Sequence, residues 1–540
     1  MDAKRRSRTF RTSGRAAFRA KIGRPARSPH PMPSMSSVLR VFAVPFFLAI
    51  ATAASAQWRP VRHETVHSSV LNEDRAIDVY EPDDLDDDPS ARYETLYVLD
   101  GEWNGELVAQ IVAFTRGVGF MPPVIVVSVP NFVDANGINS RDHDFTPTVS
   151  SEQERSGGAK DFLAFIKTEL IPYVDAHHPT NGLRSIHGHS YGGLFLFYVL
   201  MNDPALFDGY LVLDPALRWD HRMFDALLEA KLPTLATDGK AIYVAGRAGR
   251  AFDGMGLAGV EPIFKAHAPK ALHWNIVAYP DETHDSLKLK GTYDALKFVY
   301  AGYSNEDVAF VPAGGTLIRG KPFALHFPHR NDRLDAHYTT DGSTPDGDSP
   351  RIGDSLTIDD ASMRIRALSN RGVYDREIPH HLRNGSAWRP ARASTKPPEA
   401  AWRVAYYDAG AWPRFARAKP LRSETSALPP DFGQVGRDAF AGVVTRDLVV
   451  DADEYYVLGI ESSEKGRLLV DGKVAVESDG DDDRRQASVV LPLARGTHTL
   501  RFEFQHADAD SEADLTVFEN RAASPEWWKN PVMRLSGEHH

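Results

Sequence analysis

The 540-residue chain has no cysteine at all. It therefore needs no disulfide and has no zinc-thiolate site, and its stability must come from packing alone. Long apolar runs are also missing. The most apolar stretch, residues 41–50, is too short for a stable bilayer span and carries Pro45, so no membrane span is expected in the mature chain. No phosphate loop, dinucleotide fingerprint or His-x-x-x-His metal pair occurs in a fitting context, so neither a cofactor nor a metal is predicted. Basic residues are outnumbered after the first 56 positions. Those 56 hold eleven of the 62 Lys and Arg against one acid, Asp2, which leaves the remainder with 51 basic and 72 acidic residues, a net of −21. An acidic surface of that size argues against nucleic acid or an anionic membrane as the main partner.

The N-terminal 56 residues read as a basic leader and signal peptide. Residues 35–40 form a basic start, residues 41–50 a short apolar segment, and residues 51–56 a small-residue cleavage site, with cleavage expected after Ala56 and a mature start at Gln57. Residues 1–34 are read as an over-extended start, with Met35 or Met32 as the initiator. A periplasmic or secreted location is expected, and export without disulfides fits a bacterial protein.

What the chain does have is Gly188-His189-Ser190-Tyr191-Gly192. A Gly-x-Ser-x-Gly pattern holds a serine on a sharp strand-to-helix turn, where glycine-sized neighbours let strand and helix pass closely. By itself the pattern is weak, and its surroundings add to it. Ser185-Ile186-His187 is a short strand candidate before it, and residues 194–200 are apolar all round, as in a helix buried against a sheet. Ser190 is therefore the candidate nucleophile.

Residues 57–303 alternate strand-like and helix-like segments, the pattern of a mostly parallel sheet with helices on both faces. Residues 66–81 predict an opening hairpin. Residues 94–99, 124–129, 210–213, 241–245 and 274–278 predict strands, and residues 162–174, 220–230, 259–267 and 293–300 predict helices. From 304 the helical pattern disappears. Residues 304–383 predict a small β-sandwich, 384–400 a Pro- and Ala-rich linker, 401–520 a second all-β domain and 521–540 an irregular tail.

A serine hydroxyl is hardly ionised at neutral pH and needs a base. His284 follows a predicted strand in an acid-rich loop and comes late in the chain, which matches the Ser, acid, His order of nucleophile-elbow enzymes. His187 and His189 flank Ser190 too closely to serve and are expected to shape the elbow. The orienting acid is expected after the strand 241–245, where Asp253 is the first carboxylate and Glu261 the next. Asp214 and Asp220 follow a different strand from the usual one, and Glu282 is expected to tie down its loop. Two backbone N–H donors for an oxyanion are expected at Tyr191 and Glu102.

Residues 97–101 (YVLDG), 124–130 with Asn131, 141–147 (RDHDFTP), 188–193 (GHSYGG), 214–220 (DPALRWD) and Glu282-Thr283-His284 together resemble the putative esterase family that includes esterase D and enterochelin esterase-like hydrolases. The resemblance spans residues 60–303. It implies an α/β-hydrolase fold, a Ser190 nucleophile, a His284 base and an oxyanion donor just after Asp100-Gly101. The chain departs from the pattern near Gly246, where an acid usually follows. Residues 338–345 (YTTDGSTP) and 363–369 (MRIRALS) resemble the small C-terminal sandwich of chitobiases and other hexosaminidases. Residues 440–442, 455–462, 467–472 (RLLVDG) and 496–501 (GTHTLR) resemble a PA14-type β-domain.

The expected activity is exported serine hydrolysis of a small-molecule or glycan ester, either an acylated carbohydrate or a siderophore-like ester, with carbohydrate contact through the β-domains. Two alternatives are a catalytically silent carbohydrate-binding protein and an acyltransferase to a sugar. The acidic run 479–483 lacks calcium-ligand spacing and reads as a solvated hairpin loop. Trp388, Trp402, Trp412, Trp527 and Trp528 are candidates for sugar stacking, against the commoner fate of burial in a sandwich.

Overall fold

A computed structural model describes residues 58–535 apart from 152, 154, 304–307, 329–333, 390–400, 431, 433–438, 480–485, 508–510 and 512. The predicted leader, the start at Gln57, most of the linker and the acidic run beyond Asp479 lie outside the described residues.

Eight strands form one sheet in the order β1-β2-β4-β3-β5-β6-β7-β8. They are β1 (Arg62–Ser68), β2 (Glu73–Tyr80), β3 (Tyr93–Leu99), β4 (Val124–Val129), β5 (Thr180–His189), β6 (Gly209–Leu213), β7 (Lys240–Arg247) and β8 (Leu272–Tyr279). The β1–β2 hairpin and the β2–β4 pairing are antiparallel, and every pairing from β4 through β3 to β8 is parallel. The continuous apolar runs of β3, β4 and β6 are buried at every position, as expected of strands covered on both faces. The period of two sorts their side chains cleanly. Tyr97, Leu99, Val127 and Val212 enter one core, whereas Leu96, Val98, Val126 and Leu211 enter the other.

The second of these cores is closed by α1 (Gly101–Gly117) and the last helix, Leu287–Val299. The first is closed by a stack in which α2 (Arg141–Asp144) leads to α3 (Ala159–Phe165). A π-helical turn, Ile166–Leu170, then continues into α4 (Ile171–His177). The all-apolar α5 (Tyr191–Asn202) lies in the same layer with α6 (Trp219–Lys231) and, beyond α7 (Arg250–Gly254), α8 (Leu257–His267). Leu287–Val299 is then α9. The helix expected over 220–230 differs at its start. Asp220, His221 and Arg222 all have positive φ, so its regular turns begin at Met223.

The rest of the chain is β-structure. Strands Arg422–Ser426, Trp402–Tyr407, Phe440–Val450, Gly496–His506, Gly466–Val470 and Lys473–Ser478 form one six-stranded sheet. It packs against a second, in which Glu454–Ser462, Gln486–Leu493 and Ala513–Glu519 pair antiparallel. The second sheet also takes in Gly314–Leu317 and His381–Asn384, paired parallel at its edge. The segments expected as separate domains on either side of a linker therefore share one sheet. Alternation again explains the arrangement: Tyr456 and Leu458 face the partner sheet, while Tyr455 and Val457 face the core built by residues 308–382. Trp402 and Trp527 are buried in these cores, and Trp528 stacks on His326 at 4.2 Å.

Candidate functional site

The parallel register puts the C-terminal ends of β5, β6, β7 and β8 side by side. His189 is level with Leu213, Leu213 with Ala245, and Arg247 with Tyr279. The next residue after β5 is Ser190 and the next after β6 is Asp214, so neighbouring strands deliver a hydroxyl and a carboxylate to the same edge. The Ser190 N–H donates to the Leu213 carbonyl at 2.9 Å, and the Ser190 carbonyl accepts from the Ala216 N–H at 3.1 Å. The elbow is thus pinned on both sides of Asp214.

The turn is strained. Ser190 has φ 60° and ψ −114°, a conformation that side-chain-bearing residues hold only where the surroundings over-determine it. Gly188 shows why glycine is required there. A Cβ on it would lie 2.6 Å from the backbone carbon and oxygen of Gly192. Asp100 (φ 53°) and Asp214 (φ 39°) also have positive φ, so the residues that immediately follow β3, β5 and β6 all carry backbone strain.

His284 follows β8 by five residues, in a loop fastened by its own polar groups. The Thr283 N–H donates to Ser286 Oγ at 2.8 Å, the Ser286 N–H to Thr283 Oγ1 at 3.0 Å, and the Ser286 hydroxyl to Glu282 Oε2 at 2.5 Å. The imidazole donates from Nδ1 to Asp214 Oδ2 at 2.6 Å. A carboxylate so held can only accept, which leaves Nε2 of a neutral His284 as the lone-pair nitrogen. The ring lies 4.2 Å from that of His189, whose Nε2–H donates to the His284 carbonyl at 2.8 Å. His189 and the fully buried His187 are both driven down to about 3, first by burial and then by nearby positive charge. Both therefore stay neutral and structural. His187 is anchored to Thr292 Oγ1 of α9 at 3.0 Å.

The carboxylate on His284 is Asp214 and not Asp253. Asp253 is exposed on α7, and Glu261 is engaged with Lys265 at 2.7 Å on the surface of α8. The position after β7 holds a cation instead. Arg247 Nε donates to Asp214 Oδ2 at 2.5 Å, and its backbone N–H approaches Oδ1 at 3.4 Å. The Asp214 side chain has no exposed surface. Burial pushes its pKa up, but the hydrogen bonds from His284 and Arg247 and the Arg247 charge outweigh that and hold it below the usual carboxylate range. Asp214 follows β6, one strand earlier than the place after β7 where the sequence leads one to expect the acid. The available signal was the carboxylate immediately after the apolar run of β6.

The two N–H groups expected at an oxyanion lie on facing helix starts. Tyr191 is the first residue of α5 and Glu102 the second of α1, where N–H groups have no intrahelical acceptor. The α1 ladder opens with the N–H groups of Trp103 and Asn104 on the Asp100 carbonyl, so Glu102 N–H lies outside it. A Cβ on Gly192 would be 3.5 Å from Asp100 Oδ2 and 3.7 Å from Leu99 Cβ, which measures how closely the two helix starts approach. Arg141 ties them together. It grips Asp100 with Nε at 2.6 Å and Nη2 at 2.9 Å and reaches the His189 carbonyl at 3.2 Å, with its guanidinium against the rings of Trp103, Phe145 and Tyr191. The Glu102 carboxylate accepts from the Asn131 backbone N–H at 3.0 Å and from its Nδ2 at 2.9 Å.

Residues 68–242 match the family model described as Putative esterase. The chain is 28% identical over 169 residues to the ferri-bacillibactin esterase BesA of Bacillus subtilis, covering 28% of this chain and 57% of that protein. It is 31% identical over 155 residues to the apo-salmochelin esterase of Escherichia coli, covering 26% and 46%. Over 79 residues it is 38% identical to the siderophore enterobactin esterase of Emericella nidulans, covering 14% and 26%. The chain thus spans less than two thirds of each of these relatives. Among solved structures, an IroE-like serine hydrolase from Shewanella oneidensis is 28% identical with a TM-score of 0.42, covering 46% of this chain and 82% of that one. Among the described residues no helix is long and apolar enough to cross a membrane.

Proposed function

We propose that the protein is a serine-type carboxylic ester hydrolase. The observation that carries this reading is the Nδ1 hydrogen bond from His284 to the buried Asp214, formed beside a strained serine elbow. In the proposed reaction Ser190 Oγ attacks the ester carbonyl carbon while His284 Nε2 takes the hydroxyl proton. The carbonyl π pair moves to oxygen, and the Tyr191 and Glu102 N–H groups hold the resulting anion, each donor contributing about 3 kcal/mol to lowering the barrier. Collapse of the adduct breaks the bond to the alcohol oxygen, which leaves with the proton from His284. Water then gives a proton to His284 as its oxygen bonds the acyl carbon, and collapse of this second adduct breaks the bond to Ser190 Oγ, which takes the proton from His284 as the acid leaves. Asp214 holds the ring in the required tautomer and offsets its transient positive charge.

The substrate class favoured by the relatives is a siderophore-like ester. An acylated carbohydrate is the second reading. It is supported by Trp412, which with Lys465, Gly466 and Glu477 lines a hollow of about 330 Å³ on the β-sandwich. Export with cleavage after Ala56 belongs to the same proposal and is tested by sequencing the mature N-terminus. The decisive experiment for the chemistry is labelling with a fluorophosphonate and mapping of the modified peptide, paired with p-nitrophenyl acetate turnover by wild type and Ser190→Ala. Labelling at Ser190 and loss of turnover in the variant are expected. Equal rates would leave only a binding function.

A further inference from the structure

The His284 ring and the Arg247 guanidinium converge on one atom, Asp214 Oδ2, at 2.6 and 2.5 Å. Arg247 ends β7, so its place on the carboxylate is fixed by the sheet register and not by a mobile loop. Asp214 is fully enclosed, whereas the Arg247 side chain keeps 27% of its surface exposed, so the cation is held at the rim with its inner edge on the carboxylate. We propose that Arg247 is a positioning residue that fixes the Asp214 carboxylate and tempers its pull on the His284 proton, so that the imidazole remains a competent base toward lower pH. This rests on the esterase reading of the same site.

Two cations compete for the charge on Asp214 whenever His284 is protonated. A buried carboxylate with a single imidazole partner stabilises the protonated ring strongly, which would take the base out of service in mildly acidic surroundings. A guanidinium on the same oxygen cancels much of that field while leaving the Nδ1 hydrogen bond in place. The other charged groups around His284 are otherwise engaged. From β5, His189 is neutral and donates to the His284 carbonyl. At the start of α9, Lys288 pairs with Asp285 at 3.1 Å. In the loop itself, Glu282 accepts from Ser286.

The test is the pH dependence of kcat/KM for p-nitrophenyl acetate and, in parallel, of the rate of fluorophosphonate labelling, for wild type, Arg247→Gln and Arg247→Lys, with melting temperature as the check on folding. Loss of the charge in Arg247→Gln is expected to move the acid limb of both profiles upward by about half to one pH unit. Arg247→Lys, which keeps the charge, is expected to return it most of the way. A purely structural role would change amplitudes without moving the limb. Coincident limbs in all three proteins would overturn the inference, as would loss of labelling in both variants at an unchanged melting temperature, because tempering alone leaves the base in place. Should Ser190→Ala retain full turnover and labelling, the esterase reading itself would fall, an outcome separate from the position of the limb.

Discussion

Asp214 and His284 are 70 residues apart in the chain and 2.6 Å apart in space, joined because the C-terminal ends of β6, β7 and β8 lie along one edge of the sheet. The consequence is testable with two isosteric changes. Asp214→Asn would present an amide that can donate to His284, favouring the wrong tautomer, and a fall in kcat of about 10³ to 10⁴ is expected. Asp253→Asn, on the exposed surface of α7, should leave kcat within about twofold, since it removes nothing that touches the ring. Steady-state hydrolysis of p-nitrophenyl acetate by the two variants distinguishes them, and a reversed ranking would return the acid to the position after β7.

The elbow makes a second prediction, about stability. Gly188 and Gly192 occupy equivalent places in the motif but meet different surroundings. A Cβ at 188 would press on the Gly192 backbone at 2.6 Å, whereas one at 192 meets its nearest neighbours at 3.5 and 3.7 Å, ordinary contact distances. Gly188→Ala is expected to cost about 2 kcal/mol or more through forced backbone displacement. Gly192→Ala should cost less than about 1 kcal/mol, helped by alanine's better helix propensity at the start of α5. Urea midpoints measured side by side would show the order.

Much of this was legible without coordinates, and the reasons are physical. Strands buried on both faces appear as unbroken apolar runs, so β3, β4 and β6 stand out, and Gly188 of the elbow marks a close approach of the backbone there. The all-β character of the second half follows from short alternating segments and turn residues. The acid was not legible in the same way. Which strand is adjacent to which is a non-local property, and Asp214 and Asp253 both follow apolar strands. The pairing of β5 with β6 sets Asp214 beside Ser190, and the order β6-β7-β8 brings the loop of His284 to the same edge. The same holds for the strand Gly314–Leu317, whose pairing with Gln486–Leu493 spans more than 170 residues and has no local signal.

The buried histidines of β5 predict how the protein responds to acid. His187 and His189 titrate near 3 in the folded chain, against about 6.5 when unfolded. Between those values the unfolded chain binds more protons than the folded one. The stability associated with each ring is therefore complete above about pH 6.5 and is lost as pH falls toward 3, at up to about 1.4 kcal/mol per unit for each ring. Asp214, also depressed in the folded state, adds loss in the carboxylate range. Replacing His187 by Asn removes one titrating ring, so its urea midpoint, lower at pH 7, should fall less than that of the wild type on going from pH 7 to pH 5. The difference expected is about 2 kcal/mol. Parallel loss in both proteins would mean that the ring does not hold its neutral form as tightly as its burial implies.

The opposite end of the sheet carries the last prediction. Glu94, near the start of β3, is 1% exposed and receives Arg371 from the β-rich half of the chain, with Ser185 Oγ at 2.6 Å, the Tyr374 hydroxyl at 2.7 Å and the Tyr300 hydroxyl at 2.9 Å. Arg371 is itself 1% exposed and lies against the rings of Tyr300 and Tyr374. The neighbouring Asn370 binds the Ala301 carbonyl through its N–H at 3.0 Å and the Phe298 carbonyl through Nδ2 at 2.8 Å. The eight-stranded sheet thus receives residues 370–374 at the start of β3, and its buried carboxylate is paired with a cation from outside the α/β region. Arg371→Met strands that charge and is expected to cost about 3 to 5 kcal/mol. The double variant Arg371→Met, Glu94→Gln should recover a substantial part, because the uncompensated charge and not the lost contact is the main penalty. Glu94 and Asp100 lie at opposite ends of β3, about 20 Å apart at the usual rise per residue, so kcat of the folded fraction should be unchanged at 25 °C. Urea denaturation followed by tryptophan fluorescence, with turnover measured on the same samples, tests both parts. A cost below about 1 kcal/mol for the single variant would show that the β-rich half is only appended to the eight-stranded sheet and does not complete it.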